Sequence, residues 1–252
     1  MRPPEADSRR DFAATAGLAF VLIVVLASAA IRLNSFGVGP LVSASGLSAL
    51  RALHRTAASL EVLAAAWLAW RAWRGGVPSW KPVAVVAGLT AFLALLGIVA
   101  GRAPTPPQAM GNVLGGLALA AAFAWLLGEK GSGTFSRQRV AGGKRFLTPF
   151  LLGLVALQGA IGARLSIFGR AELPALPLHA LLGLGTAGLL AWLALARAGG
   201  ATGKLLFALS LAAPLAGFTA LQYDYSPLAA LVHAASAALV VVGCAWVLGR
   251  NA

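Results

Sequence analysis

The chain's three histidines, His54, His179 and His233, each stand thirteen residues before a tryptophan, Trp67, Trp192 and Trp246. A fourth segment keeps the spacing but begins with Asn112, paired with Trp125. All four segments are long and apolar, so imidazoles recur at equivalent places in a set of helices. A lone histidine in such a helix is often an interhelical hydrogen-bond partner. An unpaired polar ring there is costly, however, and recurrence at one repeat position favours a ligand role. Zinc fits poorly, because no Asp, Glu or Cys lies at a matching depth to close a site. A proton relay would want carboxylates, and Glu61 is the only one well inside a helix. Haem iron takes two axial imidazoles from facing helices and needs no other protein ligand. His179 and His233 form such a pair, whereas His54 faces Asn112 across the other half of the chain.

Helices must carry these residues, and the composition says where they sit. With 59% hydrophobic and 11% charged residues and a mean hydropathy of +0.83, the sequence excludes a soluble domain. Eight apolar stretches, near 12–32, 47–70, 82–101, 108–128, 146–168, 175–197, 204–222 and 228–249, could each cross a bilayer core of about 30 Å. The expected fold is an all-α integral membrane protein, with eight transmembrane helices arranged as two pseudo-symmetric four-helix bundles. The net charge of +13 does not indicate nucleic acid. With a cytoplasmic N-terminus, fourteen lysines and arginines fall inside and six arginines outside, which satisfies the positive-inside rule with both termini cytoplasmic. Cys244 is the only cysteine, so disulfides and thiolate clusters are excluded. Ser8-Arg9-Arg10-Asp11-Phe12 ahead of an apolar run resembles a twin-arginine export signal, but the first helix carries a motif that recurs later, which argues against a removed leader.

That motif is RLxxFG. Arg32-Leu33-Asn34-Ser35-Phe36-Gly37 ends the first helix, and Arg164-Leu165-Ser166-Ile167-Phe168-Gly169 ends the fifth. Each precedes a histidine-bearing helix. The chain therefore reads as two halves, 1–128 and 145–252, joined by a cytoplasmic linker at 129–144. The histidines are expected within about two turns of the outer surface. The tryptophans, roughly 20 Å further on, read as a cytoplasmic aromatic belt. Small residues around the second pair (Ala180, Gly183, Gly185, Ala234, Ala235, Ser236) leave room for a flat macrocycle. Arg164 and Arg170 lie on the side where propionates would emerge, and Arg32, Arg51, Arg55 and Arg102 surround the first site.

The chain resembles the haem A synthase family over nearly its whole length at the level of architecture. The resemblance rests on Arg32 to Gly37, on Leu53-His54-Arg55 against the family's glutamate-x-x-His-Arg signature, on Gln158-Gly159-Ala160-Ile161-Gly162-Ala163, and on His179 and His233. It implies haem b held by His179 and His233, and an N-terminal site for haem O or haem A with His54 as ligand and catalytic residue. There a ring methyl of haem O would be oxidised to the formyl of haem A. Arg164, Arg170, Arg32 and Arg55 would bind cofactor. Two positions depart from the pattern: Asn112 replaces the second N-terminal histidine, and Arg51 replaces the signature glutamate. Those departures open a second expectation, a non-catalytic membrane cytochrome b or accessory subunit of a respiratory complex. Either way the implied location is the inner membrane of a prokaryote, with haem near the outer face. The partners expected are membrane lipid and respiratory electron-transfer or oxidase-assembly proteins.

Overall fold

The computed structural model describes residues 4–36, 41–75, 80–101, 104–129, 144–168, 174–195, 200–222 and 226–250. Among them the chain is all-helical: α1 (Pro4–Phe36), α2 (Ala44–Trp73), α3 (Lys81–Ala100), α4 (Pro106–Gly128), α5 (Lys144–Phe168), α6 (Leu176–Leu193), α7 (Gly200–Gln222) and α8 (Pro227–Arg250). Six helices contain a stretch long and apolar enough to cross a membrane, in α1, α3, α4, α6, α7 and α8. The protein is membrane-embedded on this count. In α5 the apolar stretch Gly153–Phe168 is shorter. α2 has the length but carries Arg51, His54, Arg55 and Glu61 along it. These are the two helices where the expected count of eight goes beyond what length and composition alone establish.

Local chemistry sets several helix ends. The Asn34 side chain accepts from the backbone N–H groups of Leu41 (2.6 Å) and Val42 (3.3 Å), closing the turn between α1 and α2. The Ser43 hydroxyl then caps α2 by accepting from the Gly46 N–H at 3.3 Å. α4 opens with Pro106 in its first turn, and the Gln108 side chain reaches back to the Thr105 N–H at 2.8 Å.

The packing joins helices close in sequence. α1 touches α2 and α4, α2 touches α3, and α3 touches α4, so the first four helices close on themselves. The last four do likewise through α5–α6, α6–α7, α7–α8 and a lighter α5–α8 contact. α1, α4, α5 and α8 meet between the two groups, with α4–α8 the most extensive contact there. Lipid tails are as apolar as leucine, so close packing rather than transfer from water must hold these helices together. Small residues permit it. A Cβ at Gly249 of α8 would run into the Trp125 carbonyl and lie 3.1 Å from the Gly128 Cα of α4. The Phe123 ring fills the notch at Gly17 of α1 and is fully buried. Each group of four has its own apolar cluster. One centres on Val21, Leu68, Val86, Leu119 and Phe123, the other on Leu151, Leu190, Val240 and Cys244.

Candidate functional site

α8 brings His233 to the interior at its second turn, six residues after Pro227. Its Nδ1 lies 2.8 Å from the Ala213 carbonyl of α7 and donates to it. That bond fixes the tautomer and leaves Nε2 with a free lone pair, the arrangement typical of a metal-ligating imidazole. The accepting carbonyl stands just before Pro214, the proline inside α7, whose missing N–H leaves the Ser210 carbonyl one turn earlier without its helical donor. One turn on, Gly217 makes the seat: a Cβ there would approach His233 Nδ1 to 3.0 Å and Cε1 to 3.1 Å.

His179 lies in the first turn of α6, three residues after Leu176. Its ring rests on Gly162 of α5, where a Cβ would come within 2.9 Å of Cε1. Gln158, one turn earlier on α5, donates through Nε2 to the His179 backbone carbonyl at 2.8 Å. The amide fits because Gly183 has no side chain; a Cβ there would lie 2.8 Å from Gln158 Nε2. The small residue at 183 thus receives a side chain and does not leave open space as expected, whereas Gly185 does face open space. His179 Nδ1 and Gln158 Oε1 are both buried without a hydrogen-bond partner.

The two rings meet edge-on, with centroids 6.0 Å apart and planes at 82°. Two imidazoles bonded to one metal through about 2 Å each would hold their centroids about 6 Å apart once the ring radii are added. The described side chains supply two imidazoles at that spacing, His233 with a fixed tautomer and each with a glycine of the preceding helix against its ring. Among the described residues, no group of three or more His, Cys, Asp and Glu lies together. A haem held by two imidazoles would need no such group, since it draws only two ligands from the protein.

The first group of helices is built differently. His54 Nδ1 lies 3.3 Å from the Val24 carbonyl of α1, so this imidazole also donates to a backbone oxygen. It stands ten residues into α2, deeper from its helix start than His179 or His233, because α2 extends outward to Ser43. Asn112 is partly buried on α4. It precedes His233 by 121 residues, and Leu96 precedes Gly217 by the same 121. The Leu96 Cδ2 atom lies 2.9 Å from where a Cβ of Gly111 would be, filling space beside Asn112. In the later helices a glycine of α7 lies against the imidazole of α8; in the earlier ones Leu96 of α3 lies against Gly111, next to Asn112.

The arginines divide. Arg32 donates from Nη1 to Ser28 at 3.2 Å, and its Nε is buried without a hydrogen-bond partner. Arg51 and Arg55 are exposed on α2. Arg164 is exposed, with its guanidinium 5.9 Å from the Phe168 ring centroid. Arg102, Arg170, and Gly37 and Gly169 of the repeated motif lie outside the described residues, as does most of the 129–144 segment. Glu61 is buried and accepts from the Thr90 hydroxyl of α3 at 2.6 Å. Trp67 and Trp192 are exposed, whereas Trp125 and Trp246 are half-buried.

Sequence reasoning picked out the rings but not what holds them. Gln158 stood inside a run of small residues and drew no separate notice. Ala213 acts through its carbonyl and Gly217 through an absent side chain, so neither has a residue type that signals chemistry; the nearest clue was Pro214 with Gly217 three residues on. No family model matches this chain and no curated protein matches it, so the functional reading rests on the geometry of His179 and His233 and on the residues that seat them.

Proposed function

We propose that this is a haem-binding membrane protein of haem A synthase type, with one haem b between His179 and His233. The observation that carries the reading is the pair of neighbouring imidazoles, 6.0 Å between centroids, each against a glycine of the preceding helix. His233 would offer Nε2 while its Nδ1–H stays on Ala213, and His179 would offer the opposing ring. Bound there, haem supplies one-electron redox chemistry at a potential set by its two imidazoles and their hydrogen bonds. The proposal includes eight transmembrane helices in two pseudo-symmetric halves. The separate apolar clusters of α1–α4 and α5–α8, and the meeting of α1, α4, α5 and α8 between them, support it. With both termini cytoplasmic in a prokaryotic inner membrane, the pair would lie toward the outer face.

Within this reading two activities compete. The resemblance points to oxidation of the haem O methyl in the N-terminal half, with His54 as ligand and Arg32 and Arg55 around the substrate. Asn112, Arg51 and Leu96 favour the other activity, a cytochrome b that passes electrons without oxidising a bound porphyrin. The acid and the second imidazole are gone, and a leucine stands where an imidazole would need its seat. Pigment extraction from purified protein separates the two. One low-spin haem b per chain, lost in His179→Ala and in His233→Ala but kept in His54→Ala, is the expected result. Haem A produced on co-expression with a haem O source would establish the synthase activity. Absence of any Soret band would end both.

A further inference from the structure

Gln158 makes a two-helix clasp around the backbone of a proposed ligand. Its Nε2 donates to the His179 carbonyl at 2.8 Å and stands 3.5 Å from that residue's Nε2. The carbonyl belongs to the first turn of α6, four residues before Gly183, so the amide lies over the place where that turn closes. The missing Cβ of Gly183 is what admits it. The His179 ring meanwhile lies against Gly162, one turn along α5 from Gln158. α5 therefore holds His179 at both backbone and ring. His233, by contrast, is fixed by its own Nδ1 on Ala213 and has no such clasp.

We infer that Gln158 is the positioning residue for His179: through its bond to the His179 carbonyl, seated at Gly183, it sets the height and rotation of the first turn of α6 and with them the place of the imidazole beside His233. The buried Oε1 of Gln158 and the buried Nδ1 of His179, both without partners, are the spare acceptor and donor of the same two residues. The amide nitrogen, not the oxygen, faces the ring, 3.5 Å from its Nε2, and groups hydrogen-bonded to an imidazole orient it on a metal and tune its basicity. The inference rests on the haem reading for its consequence, but the clasp itself belongs to the protein alone.

The test uses the full chain in detergent, with Gln158→Met and Gly183→Ala. Methionine keeps the length and volume of the side chain and removes the amide; alanine leaves Gln158 in place and pushes its amide off the carbonyl. In haem-free protein, both variants should speed backbone amide exchange in the first two turns of α6 and leave α8 unchanged. In haem-loaded protein, both should broaden or shift the low-spin electron paramagnetic resonance signal and speed haem loss to excess apomyoglobin, by about tenfold or more, as for other second-shell partners. Gln158→Ala combined with Gly183→Ala should match Gln158→Ala alone, because both act on one contact. A purely structural role predicts parental spectra and haem loss in Gln158→Met, and that outcome would overturn the inference. Unchanged exchange in α6 would overturn it independently of haem. A parent protein without haem would defeat the haem reading while leaving the exchange measurement to decide the clasp.

Discussion

Each proposed axial residue depends on an atom that is not there. Gly217 and Gly162 accept imidazole rings because they have no Cβ, and at both positions a methyl group would have to displace a ring held from other directions. Gly217→Ala should therefore weaken haem binding by pressing on the ring that Ala213 fixes. Gly188→Ala, whose Cβ meets nothing within 4 Å, should leave haem content unchanged and slightly favour the helix. Haem-to-protein ratio and thermal melting of the two variants, measured together, check this. A second residue-scale prediction concerns Glu61. Its buried carboxyl has the Thr90 hydroxyl as a partner. Thr90→Val leaves that polar group unpaired and should cost about 1–3 kcal/mol, whereas Glu61→Gln keeps an acceptor for Thr90 and should cost less. Chemical unfolding in mild detergent separates them, and equal losses would refute the pairing argument. The histidines and Glu61 were legible in the sequence because a polar group in an apolar helix stands out. Thr90, Gly217 and Ala213 were not, since their parts are set by which helix lies opposite, and pairing of that kind leaves no mark in a one-dimensional pattern.

At the scale of helices, apolar length located all eight elements to within about four residues at each end, apart from the start of α1, which lies well before its apolar stretch. α2 extends because Asn34 and Ser43 cap the turn before it, carrying helix through Ala44 to Leu47. Hydropathy underrates such a segment, as its serines and arginines do not read as membrane. α2 also buries only a narrow stripe, Ala57, Glu61, Ala65 and Leu68, while Arg51 and Arg55 stay exposed. The contrast between α3 and α7 gives the third prediction. If Leu96 fills the seat that Gly217 keeps open, Asn112→His alone should leave haem stoichiometry at the parental value. Asn112→His with Leu96→Gly should add a second low-spin haem facing His54. A second haem in the single variant would show that Leu96 is no obstacle.

For the molecule as a whole, the contact between α4 and α8 is the joint that makes one body of two groups of helices. Gly249 lies against backbone of α4 at Trp125 and Gly128, with no flexible side chain available to yield. Gly249→Val should separate the helices at that end and lower the melting temperature by more than any of the single changes above, with monodispersity in detergent as the second readout. A division into two halves was legible as an expectation, from RLxxFG and the histidine spacing. The joint was not, because it depends on glycines facing each other across elements 121 residues apart (Gly128 and Gly249). The order of synthesis adds a consequence. α8 is the last of the described helices to leave the ribosome, and it touches α1, α4, α5 and α7. Until it inserts, His179 faces a gap, and α4 lacks its most extensive contact. A nascent chain halted after α7 would hold one imidazole of the pair and an open flank. Quality control that senses exposed intramembrane grooves would thus survey completion of the cofactor site and completion of the fold in a single event.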